Sequence, residues 1–531
     1  MIRPEDRLNT HEVTNQPDRP AARDPWAADP TLCGHVASQG GDAKHLARFG
    51  AALSDAWALG EDARRTPPEL RLFDRHGRRL DEVRFHPAYH SLLELGLGEG
   101  YAAIPWSGAS GGHTTHAAMV YLLSGVEPGV CCPMTMTYAG VPALAAAGFD
   151  DWAGKLATPA YDPAIAAPST KRALTLGMAM TEKQGGSDVR ANSTRAEPAD
   201  DEWRLTGHKW FCSAPMSDGF LTLAQTEAGL SCFLVPRWCE DGSRNAIRLQ
   251  RLKAKLGNTA NASAEIEYHG ARAHLVGEDG DGIRAIIRMV HHTRLDTAMA
   301  PAGLMRAALS EAAFWARGRS AFQKRLIDQP LMQTVLADLA LDWEGATALG
   351  LRVARAFDEG DPLSRVGVAL AKFLSNKRAP VVIAEAMEVL GGMGYVDDTP
   401  MPMLYREAPL NGIWEGSGNV ICLDILRTLR RDDAARDALD AELKAAAGAD
   451  RGFDAALAAF RDRWPKDPQE IEARLYCERL AALLTAAVLI RAAPGAVADG
   501  YVATRLGADR GLVAGAVSGL DHRAILDRIG D

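Results

Sequence analysis

The chain has 531 residues, 47% hydrophobic and 24% charged, with a formal net charge of −9 and a pI near 5.9. That length exceeds what a single hydrophobic core holds and predicts roughly three or four domains. The acidic balance excludes a whole-chain attraction to nucleic acid or to an anionic membrane surface.

Residues 1–30 are polar and proline-bearing, lack the apolar stretch of a secretory signal, and read as an extended arm ordered against another subunit. Residues 31–174 form an N-terminal helical domain punctuated by Gly and Pro, with helices expected at 45–57, 89–97 and 114–123. His113 and His116 stand at i, i+3 with no carboxylate partner in sight, which reads as a capped or core-facing helix; Cys131-Cys132 lacks metal-ligand spacing. The eight cysteines lie mostly in apolar runs, as Cys232, Cys422 and Cys477 do, and read as reduced thiols. Near Thr175 the period changes, and 203–207, 220–225, 231–235 and 264–268 read as strands of a middle β domain over 175–280.

The helical period returns at Ile283. Amphipathic runs at 284–292, 294–317, 330–359, 363–390 and 418–431 make a bundle over 281–430. After a charged link at 430–433, runs at 434–460, 468–492 and 498–531 give a C-terminal helical domain, 431–531. The longest apolar run, 480–490, is far short of the roughly 20 residues that span a bilayer, so a cytoplasmic location is expected.

Chemistry concentrates in four stretches. In 179–189, Thr181 and Ser187 offer donors while Gly185 and Gly186 let a ligand approach the backbone. In 207–213, Trp210 sits on a strand beside small polar groups, either covering a flat cofactor or filling a core. In 388–395 a glycine-rich turn follows a helix, and since no strand precedes it, it is not a dinucleotide fingerprint. In 411–423, Glu415 lies between Ile413-Trp414 and Gly416-Ser417-Gly418-Asn419. Poor solvation beside Ile413 and Trp414 would raise its pKa and make it a general base. The Gly-Ser-Gly-Asn run would present N–H groups to a phosphate or ribose, or Ser417 or Asn419 would cap a helix. No phosphate-binding loop, His-Glu-x-x-His or zinc ligand set is present, so no metal is expected.

Together these stretches resemble the acyl-CoA dehydrogenase superfamily. Residues 179–191 fit its first signature, 388–398 the opening of its second, Arg406-Glu407-Ala408 stands at the family's distance before Trp414-Glu415-Gly416-Ser417, and Arg319-Ser-Ala-Phe322 matches an Arg-x-x-Phe. Residues 180–195, 255–263 and 413–419 resemble the AidB branch of alkylation-response flavoproteins, which also carries an extra C-terminal helical domain. The resemblance implies an α+β, mainly α fold with a middle β-barrel domain and a bound FAD between barrel and bundle. Carried over by position, Met178, Thr181, Gly186, Ser187, Trp210, Phe211, Cys212, Ser213, Trp414, Gly416, Ser417 and Asn419 would meet FAD. Arg319, Phe322, Gly391 and Gly392 would reach the FAD of a neighbouring subunit, which implies a homotetramer built as a dimer of dimers. An acyl-CoA thioester would lose its α-proton to Glu415 and its β-hydride to flavin N5, with Arg294 and Trp414 at the substrate.

Three departures imply weak or unusual turnover: Trp414 where Tyr is usual, Cys212 where a Thr hydroxyl faces N5, and His291-His292 where an acidic residue precedes Arg294. The likeness also implies an alternative, a duplex-DNA-binding protein with a mainly structural FAD. Its phosphate contacts would be Arg427, Arg430 and Arg431, with Arg505, Arg510, Arg523 and Arg528 sharing a face. Against it, residues 431–531 hold 14 Lys and Arg against 17 Asp and Glu, where a DNA-binding domain should be basic. A flavin scaffold with neither activity is the third reading.

Overall fold

The computed structural model describes residues 4–18, 23–509 and 511–530. Asp29 caps the first helix by accepting the Leu32 amide, and Pro30 fills the first helical position, where a missing N–H costs nothing. The N-terminal part then runs through α1 (Pro30–Gln39), α2 (Ala43–Ser54), α3 (Trp57–Arg65), the hairpin β1 (Glu69–Phe73) and β2 (Arg79–Arg84), α4 (Pro87–Gly98), α5 (Gly112–Val126), α6 (Pro128–Ala145) and α7 (Asp150–Leu156). The hairpin is a departure from the all-helical expectation. It is closed by Asp74, whose carboxylate accepts the His76 and Arg78 amides, and its short strand β1 packs alternate Leu70 and Leu72 on the core. In the described part of the arm, Asn15 bonds Ser320 and accepts the Arg319 guanidinium of its own chain.

Strands β3 (Leu176–Ala179), β4 (Arg195–Ala199), β5 (Glu202–Ser213), β6 (Gly219–Gln225), β7 (Leu230–Pro236), β8 (Ile247–Leu252) and β9 (Ser263–Leu275) form one sheet. Because β6 pairs with both β4 and β7 while β4–β5, β5–β9 and β9–β7 complete the circuit, the sheet closes into the expected barrel. The Lys209 ammonium is fully buried in it and meets Glu182 at 2.9 Å, while the other Glu182 oxygen accepts the Ser193 amide. Against the cost of burial, Lys209 holds Glu182 at about 2. Lys209→Met would strand that carboxylate without its cation, and a loss of about 3–5 kcal/mol in a urea melt is expected.

The bundle consists of α8 (Gly282–Gly318), the two-residue strands β10 (Ser320–Ala321) and β11 (Lys324–Arg325), α9 (Pro330–Glu359), α10 (Leu363–Val389), α11 (Met401–Glu407) and α12 (Gly418–Arg431). The two runs expected around Thr293 are one 37-residue helix, α8, with Thr293 and Arg294 buried in its middle. Pro301 within it cannot donate to the carbonyl of Thr297; Asn376 of α10 supplies the missing donor at 2.9 Å. Pro142 of α6 likewise frees the carbonyl of Tyr138, which takes the Trp106 indole N–H at 3.1 Å.

The C-terminal part holds α13 (Asp433–Lys444), α14 (Arg451–Arg463), α15 (Ala473–Ala492), α16 (Gly495–Tyr501) continuing into a π-helical turn, and α17 (His522–Leu526). The single run expected over 434–460 is broken where Gly448 turns at φ +83° and Asp450 caps α14 through the Phe453 amide. Arg505 is buried against Asp338 and Asp342 of α9, and Arg528 pairs with Glu344. Among the described residues all eight cysteines are unpaired thiols, and no helix is long and apolar enough to cross a membrane.

Candidate active site

Glu415 sits in the turn that leads into α12, with φ +55°, a left-handed conformation that side-chain-bearing residues rarely adopt. Gly416 follows at φ +99°. Three buried side chains from two bundle helices hold this turn. From α8, the Thr293 hydroxyl donates to Glu415 Oε2 at 2.5 Å and Arg294 Nε donates to the Glu415 carbonyl at 3.3 Å. From α10, the Lys372 ammonium donates to the carbonyls of Asn411 at 2.9 Å and Gly416 at 3.0 Å. Trp414 is pinned by its indole N–H on Asn411 Oδ1.

Burial pushes the Glu415 carboxyl above the usual carboxylate range, against the Thr293 hydrogen bond and the charges of Lys372 and Arg294. The cause, desolvation, is the expected one, though Ile413 contributes little to it. Of the two flanking residues Ile413 is 66% exposed, so the shielding falls to half-buried Trp414 and the helices packed around the turn. Burial likewise brings Lys372 down to about 7, with Glu415 pulling it back up. Arg294, expected at the substrate, braces the turn by donating from Nε to the Glu415 carbonyl and from Nη1 to Asp424 Oδ2 at 2.6 Å. Arg365 completes that ion cluster on Asp424.

Directly before Thr293 on α8, His291 and His292 join a wall of rings. Trp106, His113, Tyr138, His291, His292 and Phe357 lie with neighbouring centroids 4.5–5.8 Å apart. Burial lowers His113 and His291 to about 3 and His292 to about 4, so all three imidazoles are neutral near pH 7. Below them His116 does have a carboxylate partner, Asp296, at 2.8 Å. It lies 180 residues away, which is why the sequence could not show it. Among the described residues no group of three or more His, Cys, Asp or Glu could hold a metal.

The cofactor candidates divide by exposure. Phe211 is 47% exposed on β5 between half-buried Trp210 and Ser213, with half-buried Met178 on β3. The Trp210 ring is crowded by cations, with the Lys253 ammonium 3.2 Å from its centroid and Arg251 and Lys183 at 5.6 and 5.7 Å, so a flat ligand would meet Phe211 more readily than the face of Trp210. Gly185 and Gly186 and the hydroxyl-bearing Ser187 are exposed beside half-buried Thr181, and a Cβ at Gly186 would fall 2.4 Å from Thr181 Oγ1. Ser417 takes the N-cap position of α12 yet its hydroxyl makes no capping bond, which leaves it and the first-turn amides for a ligand. Lys377 and Arg474, not foreseen, flank Gly418, and Arg474 engages Asn419 Oδ1 at 2.8 Å. Gly391 and Gly392 face open space, and Phe322 is 93% exposed beside half-buried Arg319. An exposed aromatic wall, uncommitted hydroxyls and a cation-flanked helix start suit a flat ring with an anionic tail, so these residues fit FAD. Cys212 does not: it is fully buried among barrel residues and burial pushes its thiol up, so it presents no surface to a ligand.

The arginines named for DNA do not share one face. Arg505 is buried, Arg528 is tied to Glu344, and Arg430 is bonded to Asp467, while Arg427, Arg431 and Arg523 are exposed. Arg510 lies outside the described residues.

Family profiles match three successive stretches: "Adaptive response protein AidB N-terminal domain" over 15–163, "Acyl-CoA dehydrogenase, middle domain" over 177–271 and "Acyl-CoA dehydrogenase, C-terminal domain" over 280–430. The chain is 45% identical to AidB of Escherichia coli (strain K12) over 477 residues, covering 87% of this chain and 88% of that one. It is 34% identical over 410 residues to acyl-CoA dehydrogenase family member 11 of Caenorhabditis elegans, covering 72% and 66%. A crystal structure of Caenorhabditis elegans ACDH-11 in complex with C11-CoA superimposes with a TM-score of 0.85 at 26% identity, covering 99% of this chain and 97% of that one. The chain therefore belongs to the acyl-CoA dehydrogenase family, in its AidB-like branch.

Proposed function

We propose that this protein is a FAD-dependent acyl-CoA dehydrogenase of low activity in which Glu415 is the base. The observation that carries the reading is the Glu415 turn itself, where a desolvated carboxylate is held in a rare backbone conformation by Thr293, Arg294 and Lys372. Backbone strain of this kind persists where surrounding structure enforces it, typically at functional sites.

The Thr293 hydroxyl occupies Oε2, leaving Oε1 to take the α-proton of a thioester. Burial makes the carboxylate a stronger base than one in water, so the proton passes to an acceptor of matched affinity. When bound, FAD supplies the acceptor for the hydride that leaves the β-carbon. Phe211, Trp210, Thr181, Ser187 and Ser417 would hold the cofactor, and Lys377 and Arg474 would neutralise its diphosphate. An acyl-CoA thioester is the proposed substrate, in keeping with the C11-CoA held by the C. elegans relative. Low activity follows from Trp414 beside the base and the ring wall next to it. The exposed Phe322 supports a partner subunit covering the 319–322 tip and so the proposed homotetramer; a cytoplasmic location is proposed with it. Among the described residues the DNA alternative keeps exposed Arg427, Arg431 and Arg523, with Arg430 bonded to Asp467.

The test is to purify the protein, record its visible spectrum, and add short and long acyl-CoAs without oxygen. Bleaching of a bound flavin band is expected with at least one thioester. A protein that takes up no flavin, or a flavin that no thioester bleaches, overturns the reading.

A further inference from the structure

Lys372 bonds both ends of the Glu415 turn from a helix that carries no local motif at that position. Lys372 is 2% exposed in the middle of α10, with no carboxylate within ion-pairing distance among the described residues. A buried ammonium is costly and is retained only where its donors are satisfied. Here two of its three N–H groups go to the carbonyls of Asn411 and Gly416, which bracket Trp414 and Glu415. It thereby closes the turn like a staple across its two ends.

We propose that Lys372 is a positioning residue for the reaction: its ammonium, bonded to the Asn411 and Gly416 carbonyls, locks the left-handed turn that aims Glu415 and supplies the counter-charge for its carboxylate. This rests on the reading of Glu415 as the base. The groups that bear on Glu415 come from three elements: Arg294 and Asp296 on α8, Lys372 on α10, and Cys132 on α6, whose thiol feels the carboxylate; Lys377 bears in turn on Lys372. Arg294 is already engaged by Asp424 at 2.6 Å. Lys372 is thus the cation with no other acid to serve. Removing it would leave the Glu415 carboxylate harder to ionise and the two carbonyls without donors.

Lys372→Met, Lys372→Gln and Lys372→Arg test this in the flavin-loaded protein, with Glu415→Gln alongside. Lys372→Met should slow anaerobic flavin reduction by about 100-fold, the order of effect of a misaimed group, with KM little changed. In both uncharged variants the low-pH limb of the rate should move to higher pH. The Glu415 carboxyl band, identified in the infrared difference against Glu415→Gln and titrated without substrate, should move the same way. Lys372→Arg should restore the titration and much of the rate. If Lys372→Met does not fold, Lys372→Gln still keeps a donor while losing the charge, and its shifted titration carries the test. Wild-type rate and titration in the uncharged variants, with Glu415→Gln inert, overturn the proposal and leave the base standing. A Glu415→Gln variant as fast as wild type overturns the base itself.

Discussion

Glu415→Gln is expected to bind flavin normally and to reduce it at least 100-fold more slowly than wild type with every acyl-CoA that bleaches the parent. The substitution preserves size, and the amide oxygen can still accept the Thr293 hydroxyl bond that holds Oε2, so the turn should survive. What is lost is the proton acceptor, a contribution typically worth about 10²–10⁴ in rate. Because burial raises the carboxyl, the wild-type rate should climb with pH through that raised value as Glu415 becomes ionised; the residual rate of the variant should lack this limb. Stopped-flow absorbance under nitrogen reads both. Equal bleaching by parent and variant would mean that the proton leaves by another route.

Arg505→Met should be the most damaging single change in the C-terminal part. Arg505 is 5% exposed and joins residues after α16 to Asp338 and Asp342 of α9. Met keeps the bulk of the stem but leaves Asp338 without its cation, and about 3–5 kcal/mol should be lost. Against the cost of burial, Arg505 and Arg378 hold Asp342 at about 2, below the value of about 3.9 expected for an unfolded chain. The stabilisation is therefore complete above that unfolded value and disappears as pH falls toward 2. Urea melts at pH 7 and pH 3 should show the gap between parent and variant narrowing on acidification. Superimposable melts at pH 7 would show that the guanidinium holds nothing together.

Legibility in the sequence followed the signals at element ends. The range 330–359 for α9 was readable to the residue because Pro330 opens it and Gly360, at φ +64°, closes it; 418–431 for α12 was likewise readable from Gly418 and the apolar stripe. The middle of α8 was misread for a reason tied to the site. Thr293, Arg294 and Asp296 are polar residues at buried positions, so the hydrophobic period fails where the helix meets Glu415. Cys212 was misplaced because the pairing of β5 with β9 shifts between Lys209 and Cys212, which puts Phe211 outside and Cys212 inside, and a one-residue slip exchanges the faces of a strand. Glu415 and its flanking glycines were visible because their chemistry is local. Thr293 and Lys372 were not, lying 122 residues from Glu415 and 44 from Gly416.

The left-handed backbone at position 415 has an evolutionary corollary. A glycine or asparagine there would relieve about 1–2 kcal/mol of conformational cost, so the chain would gain thermal tolerance from the replacement that silences it. Drift toward a sturdier, inert descendant is downhill at this codon, and retention of the acid in any lineage is then a record of selection for what the carboxylate does.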